Sequence, residues 1–363
     1  MFLLGLIAPI CFIPGVLGAM IPTQWALFSI VLPLSLWREG AFGPAYWAGL
    51  AVLAWSAISL LWVPNGYDGL YGFWLLSICG LAFWMGSTIL DFDPLLKGLA
   101  LGLSVNAAIA LAQVFGFQGV PFLERPSGLF YNPTVLSAIC ALVIIALWSH
   151  SLYLWSLGPI AGLIFSGSRG GFFVLGIVLL SRMTRWYIAI PCAIIAIAIM
   201  SINPSSTDIL RLMNWGITLR QLNLWGHGIG SFTTYFYFNP TEHYPHAIAL
   251  IHPGFAHNDF LQLWFELGIG ALPIYAIYLL CLTRIDSHWH PTFVGLTTLS
   301  LFYFPLYCPI IAFLGCIAAG RIVGDWHVAR RQCHYGRSIR PLWPAQWQPR
   351  FRLPWSQPVP TEP

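Results

Sequence analysis

Apolar runs of about 20 residues follow one another from Met1 almost to Gly320, each separated from the next by a short polar or Pro- and Gly-bearing turn. A run of that length as a helix crosses a hydrocarbon core of ~30 Å. The pattern predicts about twelve crossings, over residues 2–20, 22–37, 45–62, 69–90, 95–117, 133–149, 151–165, 170–181, 186–202, 258–283, 291–305 and 307–320. Pro305 and Pro309 argue for a break between the last two. The 34 Gly and 27 Pro scattered through the apolar runs do not suit long alternating barrel strands. Backbone groups in lipid are then satisfied only within helices, so the predicted fold class is all-α, a polytopic membrane bundle.

Two segments break the pattern. One long hydrophilic loop covers about 203–257, and residues 321–363 form a basic tail rich in Pro and Trp, expected to be a disordered stretch lying on lipid headgroups. Residues 1–320 are read as one membrane-embedded domain. The apolar start has no basic leader region and a poor cleavage site near Gly18-Ala19, so a retained first helix is expected.

Composition excludes a water-soluble domain: 58% of residues are hydrophobic and only 8% charged. The net charge of +4 speaks to sidedness before it speaks to a nucleic-acid partner, and none is expected. With the N-terminus inside, the cytoplasmic segments hold Arg38, Lys97, Arg182, Arg185, Arg284 and the tail arginines 321, 330, 331, 337, 340, 350 and 352. Arg125, Arg169, Arg211 and Arg220 fall on the outer side, against the usual bias. The eight cysteines show neither a C-x-x-C pair nor zinc spacing and read as small apolar residues.

The outer arginines supply fixed charge and paired donors suited to phosphate oxygens. Local pairing is the alternative for each, as between Arg125 and Glu124 or Arg211 and Asp208, but acids are scarce on this side. Ser166-Gly-Ser168-Arg169-Gly170-Gly171 lies between two apolar helices, as an anion-binding turn or a plain helical hairpin. The long loop contains Gly226-His-Gly-Ile-Gly-Ser-Phe232 and ends in Ala256-His257-Asn258-Asp259. Asn258 or Asp259 suits the N-cap of the following helix, with His257 at the water interface. Asp259, Gln262 and Glu266 share one helix face, turned toward the bundle interior to orient an arginine or to bond a neighbouring helix. His243, His246 and His252 lack the ligands that would complete a metal site, and no metal is expected.

Ser168-Arg169-Gly170, the outer loop with Gly226-x-Gly-x-Gly230 and Phe232, and His257-Asn258 followed by Gly268 together resemble the O-antigen ligase and polymerase superfamily of bacterial membrane glycosyltransferases. Arg125-Pro-Ser-Gly128-Leu-Phe130 with Asn132-Pro133 resembles an earlier periplasmic segment of that family. The resemblance covers roughly residues 120–320 and implies a multi-pass protein of the bacterial inner membrane with its active site on the periplasmic side. It further implies an undecaprenyl-pyrophosphate-linked glycan as donor and a lipid A core or growing glycan as acceptor, with no cofactor. His257 would be the general base, and Arg169, Arg211, Arg220 and Arg125 would bind pyrophosphate. Ser168, Gly170, Asn258, Gln262 and Glu266 would support them. Where the ligase signature carries Gly, Thr or Tyr, this chain has Ala271, which leaves ligase and polymerase both open. Transfer of glycan to a protein hydroxyl is a further member activity. A transporter or flippase of anionic lipid is the reading from another class, although its mid-membrane charges and repeated broken helices are not evident.

Overall fold

A computed structural model describes residues 1–11, 20–33, 44–89, 91–120, 125–183, 206–238 and 254–334. They are all-α. The helices are α1 (Phe2–Ile7), α2 (Met20–Val31), α3 (Pro44–Ser59), α4 (Gly66–Thr88), α5 (Asp93–Val114), α6 (Pro133–Ser149), α7 (Leu157–Ser166) and α8 (Arg169–Met183). They continue with α9 (Ser206–Arg220), α10 (Phe232–Phe238), α11 (Asp259–Leu267), α12 (Leu272–Thr283), α13 (His290–Ser300) and α14 (Pro309–His334). Among the described residues, four stretches are long and apolar enough to cross a membrane: Gly66–Thr88, Asp93–Val114, Asp259–Thr283 and Pro309–Trp326. Shorter apolar helices cover Ala45–Ser59, Pro133–Ser149, Tyr153–Ser166 and Arg169–Ser181.

The abundant proline is compatible with helices because much of it stands in first turns, where no amide bond is lost. Pro94, Pro133, Pro273, Pro291 and Pro309 open α5, α6, α12, α13 and α14 in this way. The centre of the bundle is α6, buried on all sides from Val135 to Leu147 and packed by α5, α7, α8, α13 and α14. A helix apolar all round is an interior helix. Small residues bring neighbours close: a side chain at Gly86 or Gly320 would run into the α14 or α4 backbone, and one at Gly5 or Gly98 would join α1 to α5 equally badly. Such close approach is the usual way apolar helices pack without a hydrophobic driving force.

Three expectations change. The predicted 258–283 helix is broken, because Gly268 adopts φ +55 and a 3-10 turn Gly268–Ala271 separates α11 from α12. The long loop is partly helical, through α9 and α10. The tail does not begin as irregular chain, since α14 continues past Arg321 to His334.

Contacts sort the connecting segments into two ends. At one, His150 Nδ1 meets Asp93 Oδ1 at 2.9 Å, and Trp289 lies edge-on to Phe92 at 5.5 Å. Arg321 donates to the Ile89 carbonyl at 3.1 Å and pairs with Asp325, while Arg284 covers the Trp326 ring at 4.9 Å. At the other end lie the segments that carry Asn65, Asn132 and Asn258. These three cap α4, α6 and α11, each accepting a first-turn amide at 2.8–3.1 Å, a contribution of about 1 kcal/mol apiece.

Candidate functional site

The site is built where α11 begins. Asn258 Oδ1 accepts from the Leu261 amide, and its Nδ2 donates to the Leu301 carbonyl at 3.1 Å. The cap is therefore Asn258, and Asp259 is the first helical residue. Asp259 is fully buried, its Oδ2 accepting the Ser300 hydroxyl and the Leu306 amide, both at 3.1 Å. One turn on, Gln262 accepts the Ala256 amide at 3.0 Å and donates to Glu266 at 3.0 Å. Glu266 in turn accepts the Gly230 amide at 2.8 Å. The polar stripe predicted on this helix is thus interior, and its contacts are to backbone amides and neighbouring side chains.

His257 precedes the cap in the left-handed region, φ +55. For a residue with a side chain this costs roughly 1–2 kcal/mol. Its half-buried ring meets the Phe304 edge at 5.0 Å and Tyr303 at 6.3 Å. Nδ1 is buried with no hydrogen-bond partner. Burial and the nearby Arg211 guanidinium push the imidazole pKa down to about 4, so at neutral pH the ring is uncharged and able to accept a proton.

The glycine-rich loop closes the far side. Gly226, Gly228 and Gly230 all have positive φ, at +74, +99 and +72. The loop runs along the last turn of α11: the His227 amide donates to Phe265 O at 2.8 Å, Gly228 to Glu266 O at 2.9 Å, and the Ile269 amide to Leu224 O at 2.8 Å. Trp55 Nε1 takes the Leu267 carbonyl at 2.8 Å. These bonds satisfy carbonyls that a helix end leaves open and explain why α11 stops there.

A second corner holds Arg125, Ser168, Arg169 and Gly170. Gly167 ends α7 with φ +57, and Arg125 donates to its carbonyl at 2.8 Å. Ser168 is buried, and Arg169 is exposed at the first position of α8. The turn before α6 is held from below, since Gln113 Oε1 accepts the Ser127 and Gly128 amides and Asn106 Oδ1 accepts that of Leu129, all at 2.9 Å. The corner reaches the His257 cluster through 301–304: a side chain at Gly170 would meet Phe302 at 3.8 Å, Phe173 stacks edge-on against Phe302 at 5.4 Å, and Asn258 holds Leu301.

The structure therefore brings His257, Asn258, Gln262, Glu266 and Arg211 into one cluster and Arg125, Ser168, Arg169 and Gly170 into an adjoining corner. Arg220 stands apart, exposed nine residues along α9 from Arg211, roughly 13 Å at 1.5 Å per residue. Among the described residues, no ion pair involves Arg125, Arg169 or Arg220. Glu124 and the histidines at 243, 246 and 252 lie outside the described residues, and no group of three or more His, Cys, Asp or Glu among the described residues is arranged for a metal.

Sequence reasoning missed the aromatic floor of Tyr303 and Phe304. It also missed the roles of Ser59 and Asp68, which accept the Ile229 amide at 3.0 Å and the Thr234 hydroxyl. The signal for the floor was the run Phe302-Tyr-Phe-Pro-Leu-Tyr307, which was read only as a helix break. His227, by contrast, is built in, its ring tilted against Phe265 at 4.4 Å and bonded to the Gln221 carbonyl at 2.7 Å. An apolar cavity of about 590 Å³ lies below the cluster, among α3, α4, α12, α13 and α14, with Ile229, Leu263 and Tyr307 in its wall.

No protein-family model matches the chain, and no curated protein matches it.

Proposed function

We propose that this chain is a polytopic membrane glycosyltransferase of the O-antigen ligase type, with about twelve crossings and its His257 end on the periplasmic face of the bacterial inner membrane. The observation that carries the reading is His257: an uncharged imidazole with a free buried Nδ1, held on left-handed backbone beside Arg211. The adjoining corner offers Arg169 and Arg125 without carboxylate partners among the described residues. The order of motifs that resembles the superfamily supports it, and the apolar cavity suits a lipid-bound donor.

In the reaction, the acceptor hydroxyl attacks the anomeric carbon of the glycan. The bond from that carbon to the pyrophosphate oxygen breaks, and its electron pair leaves with undecaprenyl pyrophosphate. The hydroxyl proton passes to His257, while the guanidinium groups stabilise the charge gathering on the leaving group. Fixed charge in a partly desolvated site is worth more than the same charge in water.

The test is carrier release from an undecaprenyl-pyrophosphate-linked glycan by the full chain in vesicles. Release that requires an acceptor lipid A core supports a ligase, and chain growth without it supports a polymerase joining repeat units. No release with either acceptor, with the protein inserted and folded, contradicts the proposal.

A further inference from the structure

We infer that Glu266 acts through Gln262 as a positioning residue for His257. Three donors to Glu266 belong to other structure, the Gly230 amide at 2.8 Å, the Tyr307 hydroxyl and the Phe232 amide, and the fourth is Gln262 Nε2 at 3.0 Å. A carboxylate only accepts. It therefore turns the NH₂ of the Gln262 amide toward itself, which leaves Gln262 Oε1 facing the other way, onto the Ala256 amide at 3.0 Å. That amide stands immediately before His257. On the other flank, Asn258 is tied to Leu261 and Leu301. The left-handed residue is thus bracketed on both sides, and the relay decides where its ring lies against Phe304. A polar contact that merely joined helices would not depend on which way the Gln262 amide points.

Around the ring, Arg211 of α9 is the charged group that bears on it, and Tyr303 and Phe304 face it from the 301–308 segment. Glu266→Gln keeps the shape but offers an NH₂ group where the carboxylate accepted. The new amide competes for Gln262 Oε1 and frees the Ala256 amide. Gln262→Met removes the relay with little change of volume.

The inference rests on the transferase reading only for its effect on turnover, so the ring is read without substrate. The full chain in lipid nanodiscs is treated with diethylpyrocarbonate over a pH series, and modification of each histidine is followed by mass spectrometry. In the parent protein His257 reacts slowly, with a midpoint near about 4. In Glu266→Gln and Gln262→Met its rate rises at least about fivefold and its midpoint moves toward the ordinary histidine value of about 6.5, while His227 and His150 are unchanged. An unchanged His257 in both variants overturns the relay, as does equal acceleration of all three histidines, which would report general loosening. In vesicles the variants lose kcat by about tenfold or more with KM for the lipid-linked donor unchanged. If the parent shows no transfer yet the ring responds as described, the transferase reading fails and the relay stands.

Discussion

The two ends of the bundle treat charge in opposite ways. At the end away from His257, Arg321 has Asp325 and the Ile89 carbonyl, His150 has Asp93, and Arg284 has the Trp326 ring. At the His257 end, Arg125 meets a backbone carbonyl and no carboxylate among the described residues, Arg169 and Arg220 are exposed, and the carboxylates of Asp259 and Glu266 are buried and turned to amides and hydroxyls. Charge that is locally neutralised serves the fold. On the proposed reading, charge held without an acid among the described residues is available to an anion from outside.

Exchanging guanidinium groups at the two ends gives the largest contrast. Arg169→Ala is expected to lower kcat/KM for the lipid-linked donor by roughly 10- to 100-fold, the scale of a lost charge-assisted bond pair. Arg169→Lys recovers only part of this, because an ammonium lacks the paired donors. Arg321→Ala leaves kcat/KM near the parent value but lowers the melting temperature. Equal losses from both substitutions would erase the distinction between the ends.

The pH dependence sharpens it. With a pKa near about 4 in the free protein, the acid limb of kcat/KM is expected near that value and not at the usual histidine midpoint. On the proposed reading, bound pyrophosphate would offset the Arg211 charge, so the limb of kcat is expected at higher pH than that of kcat/KM. The same shift acts on stability: the unfolded chain, with a histidine pKa of about 6.5, takes up its proton first. The His257 contribution is therefore full above that pH and is lost as pH falls toward about 4. Thermal melts of the parent and His257→Ala across this window measure it.

The smallest effects come from backbone. Gly268→Ala places a side chain on the Leu224 carbonyl at φ +55 and is expected to destabilise the α11 end by about 1–3 kcal/mol. Gly216→Ala in α9 points into open space and is expected to stabilise by up to about 1 kcal/mol. A melt in which the two behave alike would separate the glycine loop from the fold of the site.

Much of this was legible in the chain itself. The apolar runs pointed to an all-α chain, and the cap of α11 was narrowed to Asn258 or Asp259, because both are local chemistry. The break at Gly268–Ala271 was not legible, since the residues that end α11 come from the loop at 224–228, some forty residues earlier. The grouping of Arg125 with Arg169 was foreseen only as a shared side, and the Gly167 carbonyl that ties them is visible only once α7 has turned. The sequence places Glu266 on an interior polar face that orients an arginine or bonds a neighbouring helix. Its partner is a backbone amide, Gly230, which no side-chain pattern announces.

The most direct test of the account sets one histidine from each end side by side. Carrier binding and carrier release are measured on the same vesicle preparations of His257→Ala and His150→Ala. The account predicts that His257→Ala still binds undecaprenyl pyrophosphate but loses release by about 100-fold or more, while His150→Ala binds and releases as the parent does. Near-normal release by inserted His257→Ala would remove that histidine from the chemistry and contradict the account.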